Sequence, residues 1–232
     1  MRRNLSSYRD SQVFLNHPFD DDFAKHEQAL TFGVVAAGLL PISARDLSTP
    51  DRARLEILVD AIGNCQYSAH DLSRCRGEGS ANLSRMNMPV EMGMALFYAL
   101  STQRANHRCI FFVAEQHDYQ RFASDLAGLD PFVYQEDPES ILTATYDWLR
   151  GVVPAGRMSS QPTVDVVEAW RAYTSDRDLI VGAGPDGKPS HAETREAMYQ
   201  LCEGYGWWDW RNYRGGREEF PILPLKRRER TP

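Results

Sequence analysis

Glu91 is a lone carboxylate near the start of a predicted helix whose other positions, from residue 89 to 100, are almost all apolar. Pro89 suits the first position of that helix, where its missing N–H costs nothing. Burial of a carboxylate is costly unless free backbone N–H groups and the positive end of the helix dipole favour its charge. An ionised carboxylate in a half-buried pocket can act as a nucleophile. We therefore predict that Glu91 is catalytic and faces an accessible hollow.

A structural role for Glu91 is the alternative. At the third helical position, a Glu side chain can bond back to the backbone as half of a capping box. The residue at the N-cap would then be Met88, which has no side-chain oxygen to complete the box. Both interpretations stay open at the level of sequence.

Further candidates lie at the ends of predicted strands. Asp71 ends the third strand and could act as an acid in a cleft or cap the turn that follows. His17 and His70 end the first and third strands, but neither has a serine or cysteine in a recognised nucleophile arrangement. Hydrogen-bonding or structural roles are the preferred interpretation of both histidines.

The elements that position these residues alternate between strand and helix from residue 12 to 150. We predict strands at 13–15, 39–42, 65–71, 109–113 and 132–134. We predict helices at 20–38, from 49, at 89–103, 118–126 and 138–149, with a loop at 72–86. Five strands and five helices indicate a doubly wound, flavodoxin-like parallel sheet. Ligands bind such sheets beyond the carboxyl ends of the strands, and Asn16 to Phe19, Asp71 and the approach to Pro89 all map to that edge.

The C-terminal part is predicted to be a separate helical extension. Residues 1–150 form the α/β domain, 151–163 a linker rich in Gly, Pro and Ser, and 164–232 the extension. Two helices, 164–174 and 192–203, flank a Gly/Pro-rich turn at 182–187. Trp207, Trp208 and Trp210 are interpreted as packing anchors or an oligomer contact, so a homo-oligomer is expected. The basic tail at 226–230 is interpreted as a solvated end.

Composition narrows the class of protein. The 232 residues carry 26 basic and 32 acidic side chains, a net charge of −6, which argues against general binding to nucleic acid or an anionic membrane. No apolar run is long enough to span a bilayer, and the N-terminus has no signal-peptide pattern. Four dispersed cysteines form no metal-ligand pair, which indicates a reducing cytoplasm without structural disulfides. We expect no metal or other cofactor.

Two common α/β functions lack their motifs. No glycine-rich phosphate loop follows the first strand, which argues against a Rossmann dinucleotide site. No Gly-x-Ser-x-Gly elbow is present, which argues against an α/β-hydrolase.

A family resemblance covers about residues 10–150. The run from Val13 to Phe19, then Asp71, then the run from Asn87 to Ala95 with its Glu-x-Gly-x-Ala pattern, resembles the nucleoside 2-deoxyribosyltransferase-like superfamily. The resemblance implies that Glu91 attacks C1′ of a nucleoside and forms a glycosyl-enzyme intermediate. It also implies that an acidic residue at the pocket rim, Asp71, assists the leaving base.

The resemblance assigns substrate contacts to the first-strand loop, to a neighbouring helix and to the approach to Glu91. These contacts are Asn16, His17, Pro18, Phe19, Asp60, Arg85 and Asn87. The chain departs from the family pattern at Asn16-His17 and at Asn87-Met88-Pro89, so substrate choice stays open. Arg74, Arg76 and Arg85 are either phosphate ligands, which would favour a nucleotide, or solvated loop residues.

Three functions follow as hypotheses. The first is an enzyme that cleaves or transfers at the N-glycosidic bond of a nucleoside or nucleotide through Glu91. The second is an NAD glycohydrolase similar in layout to Toll/interleukin-receptor-like domains. The third is a non-catalytic nucleotide-binding module whose C-terminal helices contact a partner.

Overall fold

The computed structural model describes residues 9–47, 52–75, 77–78, 83–84, 86–101, 106–121, 123–181 and 189–207. Seven strands lie in these ranges: β1 (Gln12–Asn16), β2 (Leu40–Ser43), β3 (Tyr67–Asp71), β4 (Gly77–Glu78), β5 (Leu83–Ser84), β6 (Arg108–Val113) and β7 (Phe132–Val133). Six α-helices accompany them: α1 (Ala24–Ala36), α2 (Arg54–Asn64), α3 (Asn87–Leu100), α4 (Pro138–Val152), α5 (Thr163–Val181) and α6 (His191–Gly204).

The main sheet is parallel and has the order β2-β1-β3-β6-β7. Counting only its five strands, this is the order 2-1-3-4-5 of the flavodoxin-like fold, so the predicted fold class is confirmed. β2 is an edge strand, which suits Pro41 because proline cannot donate to a ladder. β6 lies inside the sheet, as its run of apolar residues predicts.

Two apolar layers cover the sheet. One cluster joins Val13, Leu15 and Phe112 to residues of α1, α4, α5 and α6. The other joins Phe14 to α2 and, through Ala95, to α3. The helices of the C-terminal extension therefore share the core of the α/β part: Trp170 and Tyr173 of α5 lie against Phe32 of α1 at 5.5 and 5.8 Å between ring centroids.

Three local predictions were wrong. The segment predicted as a helix at 118–126 forms two short 3-10 helices, Asp118–Arg121 and Ser124–Leu126, so no α-helix connects β6 to β7 within the described residues. The predicted loop at 72–86 contains the antiparallel pair β4 and β5. The helix predicted at 138–149 continues to Val152. The turn predicted at 182–187, Trp208, Trp210 and the basic tail lie outside the described residues.

The extension packs against the α/β part through both of its helices. α6 begins at a capping box formed by Ser190 and Glu193. Its first turns reach residues at the carboxyl edge of the sheet: His191 contacts Glu27 at 2.9 Å and Arg195 contacts Asp46 at 2.5 Å. The division into domain, linker and extension stays a prediction.

Candidate functional site

Glu91 lies in the second turn of α3, which corrects the predicted start of this helix. α3 begins at Asn87, so Pro89 is its third residue and Glu91 its fifth. The N-cap is Met86, whose side chain makes no capping bond, so the capping-box interpretation does not apply. The stabilisation of charge by a helix N-terminus fades within the first turn. Glu91 therefore receives less of it than we expected.

The Glu91 carboxyl is buried without compensation. The residue is 4 % exposed, and its Oε2 atom has no hydrogen-bonding partner among the described residues. Burial raises the pKa of Glu91 from 4.5 to about 7, against the opposing influence of the Arg54 guanidinium. The side chain is therefore close to half protonated near neutral pH, which is the range that proton transfer in catalysis requires.

Asp71 is a second buried carboxyl group, at the last position of β3. Its Oδ1 atom accepts hydrogen bonds from the Ser73 N–H at 2.9 Å and from the Ser73 hydroxyl. Its Oδ2 atom accepts none from the described residues. Burial raises the pKa of Asp71 from 3.8 to about 6; the Ser73 bonds, the nearby Tyr134 hydroxyl and Arg74 all oppose the rise.

Asn16 connects the strand that ends beside Asp71 to the helix that carries Glu91. Asn16 is opposite His70 in the pairing of β1 with β3. Its Nδ2 group donates to the Met88 carbonyl at 2.8 Å, in the first turn of α3. The topology changes direction between β1 and β3, and ligands bind doubly wound sheets at such a point. The structure thus brings Asn16, Asp71 and the first turns of α3 to one edge.

The rest of the first-strand loop contacts residues at and just after the end of β2. The buried His17 donates from Nδ1 to the Pro18 carbonyl at 2.9 Å, and its Nε2 atom lies 3.4 Å from the Ser43 hydroxyl. Phe19 is 37 % exposed, and the Arg45 guanidinium lies 4.7 Å from the centre of its ring. Phe19 is therefore the member of this loop with ring surface available to a ligand.

The remaining predicted contacts are dispersed. Asp60 lies midway along α2 and its carboxylate is paired with Arg52 at 2.5 Å. Asn87 is exposed as the first residue of α3. Arg74 is partly buried, and its charge lowers the pKa of Asp71. Arg76 and Arg85 lie outside the described residues.

Two cavities of the structure lie away from Glu91 and Asp71. One of about 830 Å³ opens between α1, α5 and α6 and is lined by Glu27, Arg45, Trp170 and His191 among others. Another of about 460 Å³ lies on the outer side of α2 and α3, beside Gly93. Neither is lined by Glu91 or Asp71, so the hollow that we expected beside Glu91 is not one of these two.

A second charged cluster surrounds Glu27, and no local sequence pattern predicts it. Glu27 Oε1 lies 2.9 Å from His191 and 3.9 Å from His17, and Oε2 lies 3.4 Å from Arg45. Ser43, His17 and Glu27 do not form a hydrolytic triad, because His17 gives its Nδ1 proton to a backbone carbonyl and not to Glu27. Tyr134 and Ser73 near Asp71 were also missed. Tyr134 could have been found, since it is the last residue of a predicted strand, at the carboxyl edge.

Within the part of the chain that the structure describes, no group of three or more His, Cys, Asp and Glu could hold a metal ion. No described helix has the length and hydropathy to cross a bilayer. All four cysteines are free thiols. Comparisons with protein-family models, with curated proteins and with solved structures find no match for this chain.

Proposed function

We propose that this protein cleaves or transfers at the N-glycosidic bond of a nucleoside or nucleotide, with Glu91 as the nucleophile. One observation carries the proposal: two carboxyl groups, Glu91 and Asp71, are buried at the ligand-binding edge of a doubly wound sheet, and each keeps one oxygen without a partner among the described residues. Buried polar atoms are nearly always paired in proteins, and strongly shifted pKa values such as those of Glu91 and Asp71 cluster at functional sites.

The reaction assigns a separate task to each carboxyl group. Glu91 attacks C1′, so that a carbon–oxygen bond forms as the C1′–N bond breaks and the base leaves with the electron pair. A protonated Asp71 gives its proton to that base. Water or an acceptor base then attacks C1′ and releases Glu91 as a carboxylate. The oxocarbenium character of both transition states is stabilised by the negative charge of the nearby carboxylate.

The two pKa values give the expected pH dependence. The active form holds Glu91 ionised and Asp71 protonated, while their pKa values are about 7 and about 6. Activity therefore rises as Glu91 loses its proton and falls as Asp71 loses its own. We expect a bell-shaped profile of kcat/KM with its maximum between pH 6 and 7.

The substrate needs a surface on which its base can bind and a path to the buried Glu91. The exposed ring of Phe19, with Arg45 stacked behind it, offers a face for a base, and Asn87 is the polar group exposed at the start of α3. Asn16 already uses its amide within the fold, so it contributes through position and not through a free donor. Because Glu91 is 4 % exposed, a nucleoside reaches it only after part of its cover moves.

The decisive experiment offers the purified protein a mixture of nucleosides, nucleotides and NAD and reads free bases by mass spectrometry. Wild type is expected to release a base, and Glu91→Gln to reduce the rate by at least about 10³-fold, as loss of a nucleophile does. Glu56→Gln is the matched control, since Glu56 is an exposed carboxylate on α2. Equal turnover by Glu91→Gln and wild type would refute the proposal.

Two outcomes separate the alternatives. Release of nicotinamide from NAD, with other nucleosides left intact, identifies an NAD glycohydrolase. Tight binding of a nucleotide without turnover identifies a non-catalytic nucleotide-binding module. The depth of Glu91 and its absence from both cavities described above favour a non-catalytic module as the second candidate function.

We also propose that the protein acts in a reducing cytoplasm and as a homo-oligomer. The free thiols agree with the compartment. On α3 the side chains of Val90, Phe97 and Leu100 are exposed apolar surface that a second copy could cover. Light scattering of wild type and of Phe97→Glu tests the assembly, and a monomeric wild type would exclude it.

A further inference from the structure

A row of polar side chains is buried between the sheet and the α2/α3 layer. Asn16, Ser68 and His70 share this face of β1 and β3, and His107 lies just before β6; none is more than 2 % exposed. Two imidazoles, a hydroxyl and an amide at such a depth destabilise a fold unless every one of them is hydrogen-bonded.

These side chains form one continuous chain of hydrogen bonds. Asn16 Nδ2 lies 3.1 Å from His70 Nδ1, and His70 Nε2 lies 2.8 Å from Ser68 Oγ. Ser68 Oγ lies 2.8 Å from His107 Nε2, and His107 Nδ1 lies 3.1 Å from the Cys65 carbonyl oxygen.

The direction of every bond follows from either end. An amide nitrogen only donates, so His70 Nδ1 accepts and the His70 proton is on Nε2, which donates to Ser68. Ser68 then donates to His107 Nε2, and His107 donates from Nδ1 to Cys65. The other end of the chain gives the same result. The Cys65 carbonyl only accepts, so a neutral His107 has its proton on Nδ1 and accepts at Nε2 from Ser68, which in turn accepts from His70 Nε2. Burial, with a smaller contribution from His107, lowers the pKa of His70 to about 3, so the His70 ring is neutral at physiological pH.

The chain fixes the orientation of Asn16. Its amide nitrogen donates both to His70 and to the Met88 carbonyl at 2.8 Å. Rotating the amide by half a turn would place its oxygen against a ring nitrogen lone pair and a carbonyl, which repel it. Met88 precedes Glu91 by three residues, so the two lie about one turn apart on the same side of α3.

We propose that His70 is a positioning residue: its Nε2–H tautomer orients Asn16, and the bond from Asn16 to Met88 sets the place of Glu91 relative to Asp71. The catalytic part of this inference rests on the function proposed above. The hydrogen-bond chain does not, and it is tested without any substrate.

The first test is NMR of the protein with ¹⁵N-labelled imidazoles. His70 is expected to show its proton on Nε2 and His107 on Nδ1, with no titration of the His70 ring between about pH 5.5 and 8. His70→Asn and His107→Asn assign the signals. A titrating His70, or a proton on its Nδ1, would overturn the inference even if Glu91 proves catalytic.

The second test separates positioning from stability. In His70→Leu the acceptor for Asn16 is lost, and we expect kcat to fall about 10- to 100-fold with KM little changed, as for a displaced catalytic group. His70→Asn keeps an acceptor where Nδ1 was and should restore most of kcat. Thr145→Val is the control, because Thr145 is equally buried and bonds the Ile141 carbonyl in α4. Equal kcat in His70→Leu and Thr145→Val would refute the positioning role.

A carboxyl ¹³C titration covers the case in which Glu91 proves not to be catalytic. The pKa of Glu91 is then compared in wild type and His70→Leu. A clear difference supports the positioning of Glu91 by His70, and an identical titration refutes it.

Discussion

Two carboxyl groups on opposite sides of the sheet are almost equally buried, but their pKa values shift in opposite directions. Glu27 on α1 is 3 % exposed and Glu91 on α3 is 4 % exposed. Burial alone would raise both pKa values. For Glu27, the hydrogen bond from His191 and the charges of His17 and Arg45 outweigh burial and leave its pKa below the ordinary value. Glu91 has the opposing influence of Arg54 alone, and its pKa rises to about 7.

Burial therefore does not by itself mark a functional acid. Glu27 is held by three cationic or hydrogen-bonding neighbours and fastens α6 to α1, which is a structural task. At Glu91 and Asp71 the charges and hydrogen bonds that oppose burial do not outweigh it, so the pKa of each carboxyl group rises. Proteins retain such a cost where it serves a function, and the two regions can be distinguished by stability measurements alone.

The largest effect is expected for Glu27→Gln. Removing the carboxylate leaves the Arg45 guanidinium without its counter-charge and His191 without its 2.9 Å contact, so we expect a loss of about 3 kcal/mol in the free energy of unfolding. Urea denaturation at pH 7 measures it. Glu139→Gln is the control, because the Glu139–Arg171 pair is exposed and should contribute less than about 1 kcal/mol. Equal losses in the two variants would contradict a structural role of Glu27.

Glu91→Gln is expected to act in the opposite direction. Its pKa rises from 4.5 in the unfolded chain to about 7 in the folded one, so the folded state binds more protons between these values and wild-type stability falls as pH rises through them. Replacing the acid should therefore add up to about 3 kcal/mol at pH 8 and almost nothing at pH 4. Thermal unfolding across this range checks the sign. A destabilised Glu91→Gln at pH 8 would mean that Glu91 is compensated as Glu27 is.

Asp71→Asn should show the smallest of the three effects. The pKa of Asp71 rises from 3.8 to about 6, so its destabilisation develops in that lower window and is complete by about pH 7. The bonds from Ser73 stabilise the charged form and are weakened in the amide, so we expect a gain of roughly 1 kcal/mol at pH 8. The same thermal series measures it, with Ser73→Ala as the companion variant. A gain that persists unchanged at pH 4 would show that titration is not its cause.

Local patterns were sufficient to predict the architecture. Short apolar runs between helical patterns placed all five strands of the sheet, and Pro41 placed β2 at an edge. They failed between residues 118 and 126, where the buried Tyr119 bonds the Leu129 carbonyl at 2.9 Å. The Tyr119 ring also packs against Phe111 of β6 in the core, and this tertiary packing overrides the helical pattern.

The site was predicted in part, and the misses have a common cause. Glu91 and Asp71 could be named because a lone acid among apolar residues and an acid at a strand end are local signals. The start of α3 was misplaced by two residues because Pro89 suits the first helical position, yet proline is tolerated throughout the first turn. The Glu27 cluster depends on a residue of α6, and the His70 chain depends on three strands at once. Neither can be recognised from the spacing of residues along the chain.

The contact between His191 and Glu27 also bears on biosynthesis. The ribosome completes every strand of the sheet before α6 emerges, so the nascent chain carries an internal negative charge that lacks its closest partner until the last described helix is made. Chains that stop before α6 should therefore be cleaved by proteases faster than the full chain, although all the strands are present.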